Sequence, residues 1–420
     1  MNNSIRNTCI PFKTTDPSDP IPPIASDGPL PLTAAWAQTV LKGIHVFLIA
    51  LMLLITSCRT PEDIIPSEKT TVGSGDAGDL AGFFLLNEGN MGSNKCTLDY
   101  YDYASGIYSK NIFPERNPGV VQELGDVGND LQRYGARLYA IVNCSNLVEV
   151  MDLNTARHIG QVSIPNCRYI TFKDRYAYVS SFAGPVEMDP NYRRGYVAKV
   201  DTATLQVVDT CVVGYQPEEM VITDNKLYVA NSGGYRVPDY DHTVSVIDLA
   251  TFKEIKQIDV APNLHRMELD AYGNIWVSSR GDYYDVPSMT FVVSTESDEV
   301  IDCMDLLACT DMTLCGDSLF VYSNTWSYFT HTNDVNYAIV DVKTRRVVTR
   351  NFITDGTERE FQNPYGIAVN PNSREIFVAD ARDYITPGRL YCFSPDGKLK
   401  WRANTGDIPS RIAFTPVKLQ

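Results

Sequence analysis

The chain is 420 residues long, 44% hydrophobic and 21% charged, which supplies ample apolar material for a packed core and excludes a chain that is disordered throughout. With 36 Lys+Arg against 51 Asp+Glu it carries a net charge of −15 and no basic cluster, so no nucleic-acid partner is expected. Its five histidines, His45, His158, His242, His265 and His331, never fall at His-x-x-x-His spacing, which removes most zinc-site readings, whereas 24 tyrosines make it rich in aromatic contact area.

Residues 1–40 hold seven prolines, from Pro11 to Pro31, and no periodic apolar pattern, so they read as a disordered leader. Lys42, the apolar run from Val46 to Ile55 and the small residues before Cys58 then supply the three parts of a secretory signal. The run is too short to span a bilayer comfortably. Leu54-Ile55-Thr56-Ser57-Cys58 resembles a bacterial lipobox, in which cleavage precedes a cysteine that is then acylated. Cys58 is therefore the expected lipidation site, and translation is expected to start close to Lys42. Arg59-Thr60-Pro61-Glu62-Asp63 resembles the surface-export signal of Bacteroidetes lipoproteins. The expected organisation is a leader plus signal peptide over 1–57, a lipid-anchored polar tether over 58–79, and one folded unit over 80–420.

From residue 80 onward the sequence repeats. Leu227 to Asn231, Thr243 to Asp248 and Glu254 to Val260 alternate apolar and polar residues between turn residues, as a β-meander does. Aligned on the residue that ends the third strand, the repeats fall at Asp102, Asp152, Asp201, Asp248, Ser294, Asp341 and Ser394, spaced by 50, 49, 47, 46, 47 and 53 residues. Seven units of about four short strands predict an all-β, seven-bladed β-propeller. The seventh unit, Arg389 through Phe414, is short of strands, so Phe83 to Asn87 is expected to complete a shared terminal blade.

Within a unit, Met220 to Thr223 is expected to lie innermost, followed outward by Leu227 to Asn231, Val244 to Asp248 and Ile255 to Val260. The second-to-third-strand loops and the connections between units then emerge on one face. That face is elaborate, with loops Phe182 to Tyr196, Gly233 to His242, Arg280 to Ser288 and Asn324 to Asn336, whereas the opposite turns, such as Asp224-Asn225, are minimal. Insertions confined to one side mark the binding side of a repeat protein. Its loops hold Tyr192, Tyr235, Tyr240, Tyr283, Tyr284, Trp326, Tyr328, Phe329 and Tyr384, and the connections hold Arg168, His265, Arg266, Tyr365 and Arg411. Tyrosines and tryptophans provide rigid contact area and arginines meet polar groups, so a large, partly apolar small molecule suits this face. The competing reading is that the aromatics pack loop on loop and that Pro165-Asn166, Pro262-Asn263 and Ile408-Pro409 simply make turns.

No nucleophile, dinucleotide or phosphate-loop motif precedes a helix, so no catalytic residue, metal or cofactor is expected. The eight cysteines from Cys96 to Cys392 have no framework spacing, and no particular disulfide is expected. The carboxylates Glu187, Asp189, Asp239, Asp241, Asp282 and Asp285 lie on the loop face, where solvated loop charge competes with a base or metal ligand.

Leu227-Tyr228-Val229-Ala230-Asn231 with Thr243 to Asp248 resembles the YVTN/YncE-type seven-bladed propellers over about residues 83–415. Asn87-Glu88-Gly89-Asn90, Pro364 to Asn372, Val378 to Tyr384 and Tyr391 to Gly397 are similar to the surface lipoprotein propellers of gut Bacteroidetes. Among these, the BtuG proteins bind vitamin B12 and other corrinoids and pass them to a TonB-dependent outer-membrane transporter. The resemblance implies a non-catalytic, corrinoid-binding lipoprotein on the outer membrane, facing the exterior, with such a transporter as partner. A metal-dependent propeller lactonase or lyase, and a glycan-binding or adhesion module, are the alternatives.

Overall fold

The structure is a computed structural model that describes residues 65–420 except 76, 121–122, 305 and 328–331. The leader, the signal segment and Cys58 lie outside the described residues, which all belong to one compact unit, Pro61–Gln420. The unit is a β-propeller. Its strands form seven antiparallel sheets, six of four strands and one of five.

One blade shows why this sequence makes these strands. Pro217–Thr223, Lys226–Asn231, Thr243–Asp248 and Lys253–Asp259 pair in that order, with Leu227 opposite Ile247 and Val229 opposite Ser245. Leu227 to Asn231 are buried, because a second strand is covered on both faces by neighbouring blades, while most of Lys253–Asp259 is exposed at the rim. Tyr228, Ala230, Val244 and Val246 pack against Met267, Ile275, Val277 and Val293 of the next blade. The core is thus distributed between blades.

The recurring aspartates end the third strands and make the next turn. Asp248 Oδ1 accepts hydrogen bonds from the backbone N–H and the hydroxyl of Thr251, both 2.8 Å, and Asp152 and Asp341 treat Thr155 and Thr344 in the same way. These bonds, led by the backbone donor of Thr251 or Thr344, hold Asp248 and Asp341 below the usual carboxylate range.

Ring closure takes a form different from the expected one. Pro364–Val369, Ile376–Asp380, Arg389–Phe393 and Leu399–Asn404 already complete a four-stranded blade. The last strand, Pro409–Thr415, instead becomes the innermost strand of the blade built from Gly82–Asn87, Thr97–Asp102 and Ile107–Lys110, with Leu85 opposite Ile412. The two termini do share a blade, but at the first unit. A fifth strand, Glu68–Thr71, comes from the stretch expected to be tether and pairs with Ile107–Lys110 at that blade's outer edge.

A second difference concerns Asn324 to Asn336. Ser318–Ser327 and Thr332–Asp341 pair continuously out to Ser327 opposite Thr332, so this segment is a long hairpin arm and not an open loop. Its polar residues face one another across the arm, as at Ser323 opposite Asn336 and Thr325 opposite Asp334, and such pairs sustain a ladder beyond the core.

Candidate functional site

The first residues of the inner strands share a backbone irregularity that decides where their side chains go. Val127, Asn166, Gln216, Asn263 and Ile408 each adopt a positive φ immediately before an inner strand, and a register shift follows in most of them, as between Pro217 and Met220 and between Leu264 and Met267. Asparagine tolerates the left-handed region, which explains the repeated Pro-Asn pairs. A bulge places two residues opposite one and re-aims their side chains. Here the re-aimed pairs are Arg168-Tyr169, Glu218-Glu219, His265-Arg266 and Ser410-Arg411. Neighbouring inner strands approach so closely that a Cβ on Gly366 would lie 2.0 Å from the Ser410 carbonyl oxygen.

These pairs meet across the axis. Arg266 Nε lies 2.9 Å from Asp311 Oδ1, Arg411 Nη2 donates to Glu219 Oε1 at 2.7 Å, and Arg411 Nη1 lies 3.6 Å from Asp311. Burial alone would lower the Arg266 guanidinium, but Asp311, Tyr169 and Glu219 outweigh it and hold it above its ordinary value. Burial raises the carboxyls of Asp130 and Glu219, and Arg411 opposes the shift at both. Nearer the loops, Glu218 bridges Arg168 at 3.3 Å and Arg280 at 3.5 Å. Arg168, Arg266 and Arg411, expected in the connections between blades, therefore sit inside the inner strands, engaged with carboxylates.

Arg266 Nη1 donates to the Tyr169 hydroxyl at 2.8 Å, and that oxygen lies 2.9 Å from His265 Nε2. The Tyr169 hydroxyl thus lies between the Arg266 guanidinium, which donates to it, and His265 Nε2, where the direction of the hydrogen bond follows the ring tautomer. Burial, followed by the charges of Arg280 and Arg266, keeps the ring neutral by pushing its pKa well below the ordinary value. His265 Nδ1 is buried without a hydrogen-bond partner among the described residues, as are Asn263 Oδ1 and both amide atoms of Gln216. The axial mouth on the loop side thus carries unanswered donors and acceptors.

Glu88 completes this end. Tyr365 donates to it at 2.9 Å. Burial raises its carboxyl to about 7 against the opposing Tyr365 hydroxyl and the nearby guanidiniums. The doubled polar residues at the start of otherwise apolar inner strands, Glu218-Glu219 above all, were the available signal for this network.

Around the mouth the predicted tyrosines divide. Tyr192 is buried and donates to the Pro185 carbonyl, and with Phe182 it packs edge-on against the half-buried Tyr235. Tyr283 and Tyr284 are exposed, at 50% and 81%, and Tyr240 stands 6.3 Å from Tyr283. Tyr384 is exposed beside Tyr365, 5.9 Å between rings. Trp326 lies in the hairpin arm opposite Asn333, and Tyr328 and Phe329 lie outside the described residues.

The loop carboxylates hold turns. Asp282 accepts from the N–H groups of Tyr284, Asp285 and Val286, and Asp241 from those of Tyr215, His242 and Thr243. Among the described residues no group of three or more His, Cys, Asp or Glu is placed to hold a metal ion.

Below the ion-pair layer the axis opens into a cavity of about 440 Å³ lined by inner strands, where Glu268 sits. Burial, then the charge of Glu219, raises the Glu268 carboxyl to about 8. Glu268 and Glu88 therefore give up their protons later in the folded chain than in the unfolded one, whose glutamates are already ionised at pH 6.5. Their contribution is complete below the unfolded pKa near 4.5 and is lost as pH rises through about 7 and 8. His265 acts oppositely, but only below 6.5. Thermal unfolding is expected several degrees lower at pH 8.5 than at pH 6.5, with the slope flattened in Glu268→Gln.

Comparison with solved structures finds propellers of low identity. A quinonprotein alcohol dehydrogenase-like protein from Bacteroides thetaiotaomicron is 13% identical, with a TM-score of 0.55 over 80% of this chain and 78% of that one. The hydrazine synthase of Kuenenia stuttgartiensis is 15% identical, with a TM-score of 0.53 over 64% of this chain and 77% of that one. Such likeness speaks for the fold alone. No curated protein sequence matches. The sequence model of a domain of unknown function, DUF5074, matches residues 81–399, most of the chain, and the protein belongs to that family.

Proposed function

We propose that this protein is a non-catalytic binding protein of the cell surface that holds a large, amide-fringed small molecule across the loop face. A corrinoid such as vitamin B12 is the ligand we favour, and a TonB-dependent outer-membrane transporter is the partner that receives it. The observation that carries the reading is the pairing of exposed Tyr283, Tyr284 and Tyr384 with His265 Nδ1, Asn263 Oδ1 and the Gln216 amide, buried and without a hydrogen-bond partner among the described residues. Tyrosine faces cover apolar edges at little entropic cost, and a buried polar atom left unanswered costs about 1–3 kcal/mol until a ligand group meets it. A corrinoid offers both kinds of surface. Arg168, Arg266 and Arg411 support this reading as the framework that orients the mouth.

Calorimetry with cyanocobalamin tests it. Micromolar or tighter binding is expected, weakened about ten-fold or more when Tyr283 and Tyr284 are both replaced by alanine. Absence of heat at micromolar protein and ligand overturns the corrinoid assignment. Membrane attachment through Cys58 is tested separately by mass spectrometry of the lipidated N-terminal peptide.

Glu88 favours one second reading, a lactonase or lyase. A half-buried glutamate whose carboxyl is raised to about 7, bonded to Tyr365 and facing arginines, has the character of a general acid or base. Lactone turnover that disappears in Glu88→Gln would establish it in place of simple binding.

A further inference from the structure

We propose that the axial cavity is a second ligand site, separate from the loop face, that takes a small organic ammonium ion with an alkyl body and uses Glu268 as its counter-ion. The cavity is lined from all seven inner strands, beginning at Asp130, Glu219 and Arg411 and running to Phe172, Pro371 and Phe414 at the end bearing the short turns. Gln132 and Pro371 are exposed there, so solvent reaches the cavity from that side. The layer of Arg266, Arg411, Asp311 and Glu219 separates it from the mouth used by the loop-face ligand.

The charge around the cavity selects a cation. Around Glu268 are Glu219 on Pro217–Thr223, Asp311 on Asp311–Cys315, Asp130 on Gly128–Tyr134 and Arg411 on Pro409–Thr415, while Arg266 on its own strand faces Glu219. Cys167–Lys173 and Pro364–Val369 contribute no charged group to the wall. The two guanidiniums are taken up by Asp311, Glu219 and Asp130, and Glu268 forms no ion pair among the described residues. Among the described residues the carboxylates here form no group placed to hold a metal ion, whereas Glu268, left without an ion pair, suits one ammonium head, and the partly buried Phe172 and Phe414 with the exposed Pro371 offer apolar wall to a short hydrocarbon chain. Its volume of about 440 Å³ lies within the range of small-molecule pockets.

Binding exchanges one proton. Protonated Glu268 gives its proton to solvent as the ammonium ion pairs with the carboxylate, and no covalent bond to carbon or nitrogen changes. Because that carboxyl titrates at about 8, affinity for an amine that stays protonated is expected to rise roughly fifty-fold from pH 6 to pH 8 and then level off.

Calorimetric titration of the purified protein with n-butylammonium chloride tests the proposal, with 1-butanol as the neutral isostere. About millimolar affinity is expected at pH 8. 1-Butanol should bind at least ten-fold more weakly, and Glu268→Gln should lose both the affinity and its pH dependence. Binding that is the same in Glu268→Gln, or no binding of the amine at pH 8, overturns it. Cyanocobalamin binding is expected to be unchanged by saturating amine, so failure of either site is read without the other. Competition between the two ligands would overturn the separation of the sites.

Discussion

Replacing Arg266 by methionine is expected to lower the unfolding free energy by about 3 kcal/mol or more, measured by denaturant titration. The change leaves Asp311, 1% exposed, without its nearest cation and removes the donor to Tyr169. Arg411 remains 3.6 Å from Asp311 and 2.7 Å from Glu219, which keeps the loss at the lower end of what breaking a buried pair costs. The double variant Arg266→Met with Asp311→Asn should recover part of the loss, since removing both charges abolishes the uncompensated one. Equal stability of the Arg266 variant and the parent would mean that the axial layer is solvated and not a buried network.

Ending the chain at Ile408 is expected to have a larger effect, with loss of a single cooperative unfolding transition and aggregation at micromolar concentration. Pro409–Thr415 is the inner strand of the closing blade, and removing it strips the inner of the two partners from Gly82–Asn87. Phe83 and Phe84, fully buried, lose Phe414 and Ala413 respectively on the two sides of that blade. Gly82–Asn87 would keep Thr97–Asp102 on one edge and expose the other, and an open strand edge is a template for pairing with another chain. Adding the missing segment as a separate peptide should restore the transition if pairing is the cause.

The propeller was legible because its periodicity is local. Asp152, Asp248 and Asp341 mark the third-strand turn through hydrogen bonds to residues three positions on, and buried runs such as Leu227 to Asn231 mark the second strands. The face bearing the loops was legible for the same reason. Which blade the last strand joins was not, because Pro409–Thr415 meets Gly82–Asn87 across almost the whole chain and carries no local mark of its partner. The hairpin arm was misread because Asn324, Asn333 and Asn336 suggest loop until cross-strand pairing is known. The axial network was hidden in another way. Arg168, Glu218, His265 and Arg411 lie far apart in sequence, and only the bulges following Asn166, Gln216, Asn263 and Ile408 bring them together. Tyr192 and Tyr284 are alike as letters in loops, yet one is buried and the other is 81% exposed.

The fifth strand has a mechanical consequence. Glu68–Thr71 lies outermost on the closing blade and, among the described strands, pairs with Ile107–Lys110 alone, while Gly73 and Ala77 beyond it are held by the Tyr101 hydroxyl and by the core. Under a pull on the chain ahead of Ser67, this four-residue strand, with the Ser67–Glu115 hydrogen bond and the Lys110–Glu68 ion pair, is the first element expected to detach. The seam between Gly82–Asn87 and Pro409–Thr415 bears load only after the strand has gone and Gly73 has been freed. The outer strand thus stands between the leading segment and the seam that closes the ring.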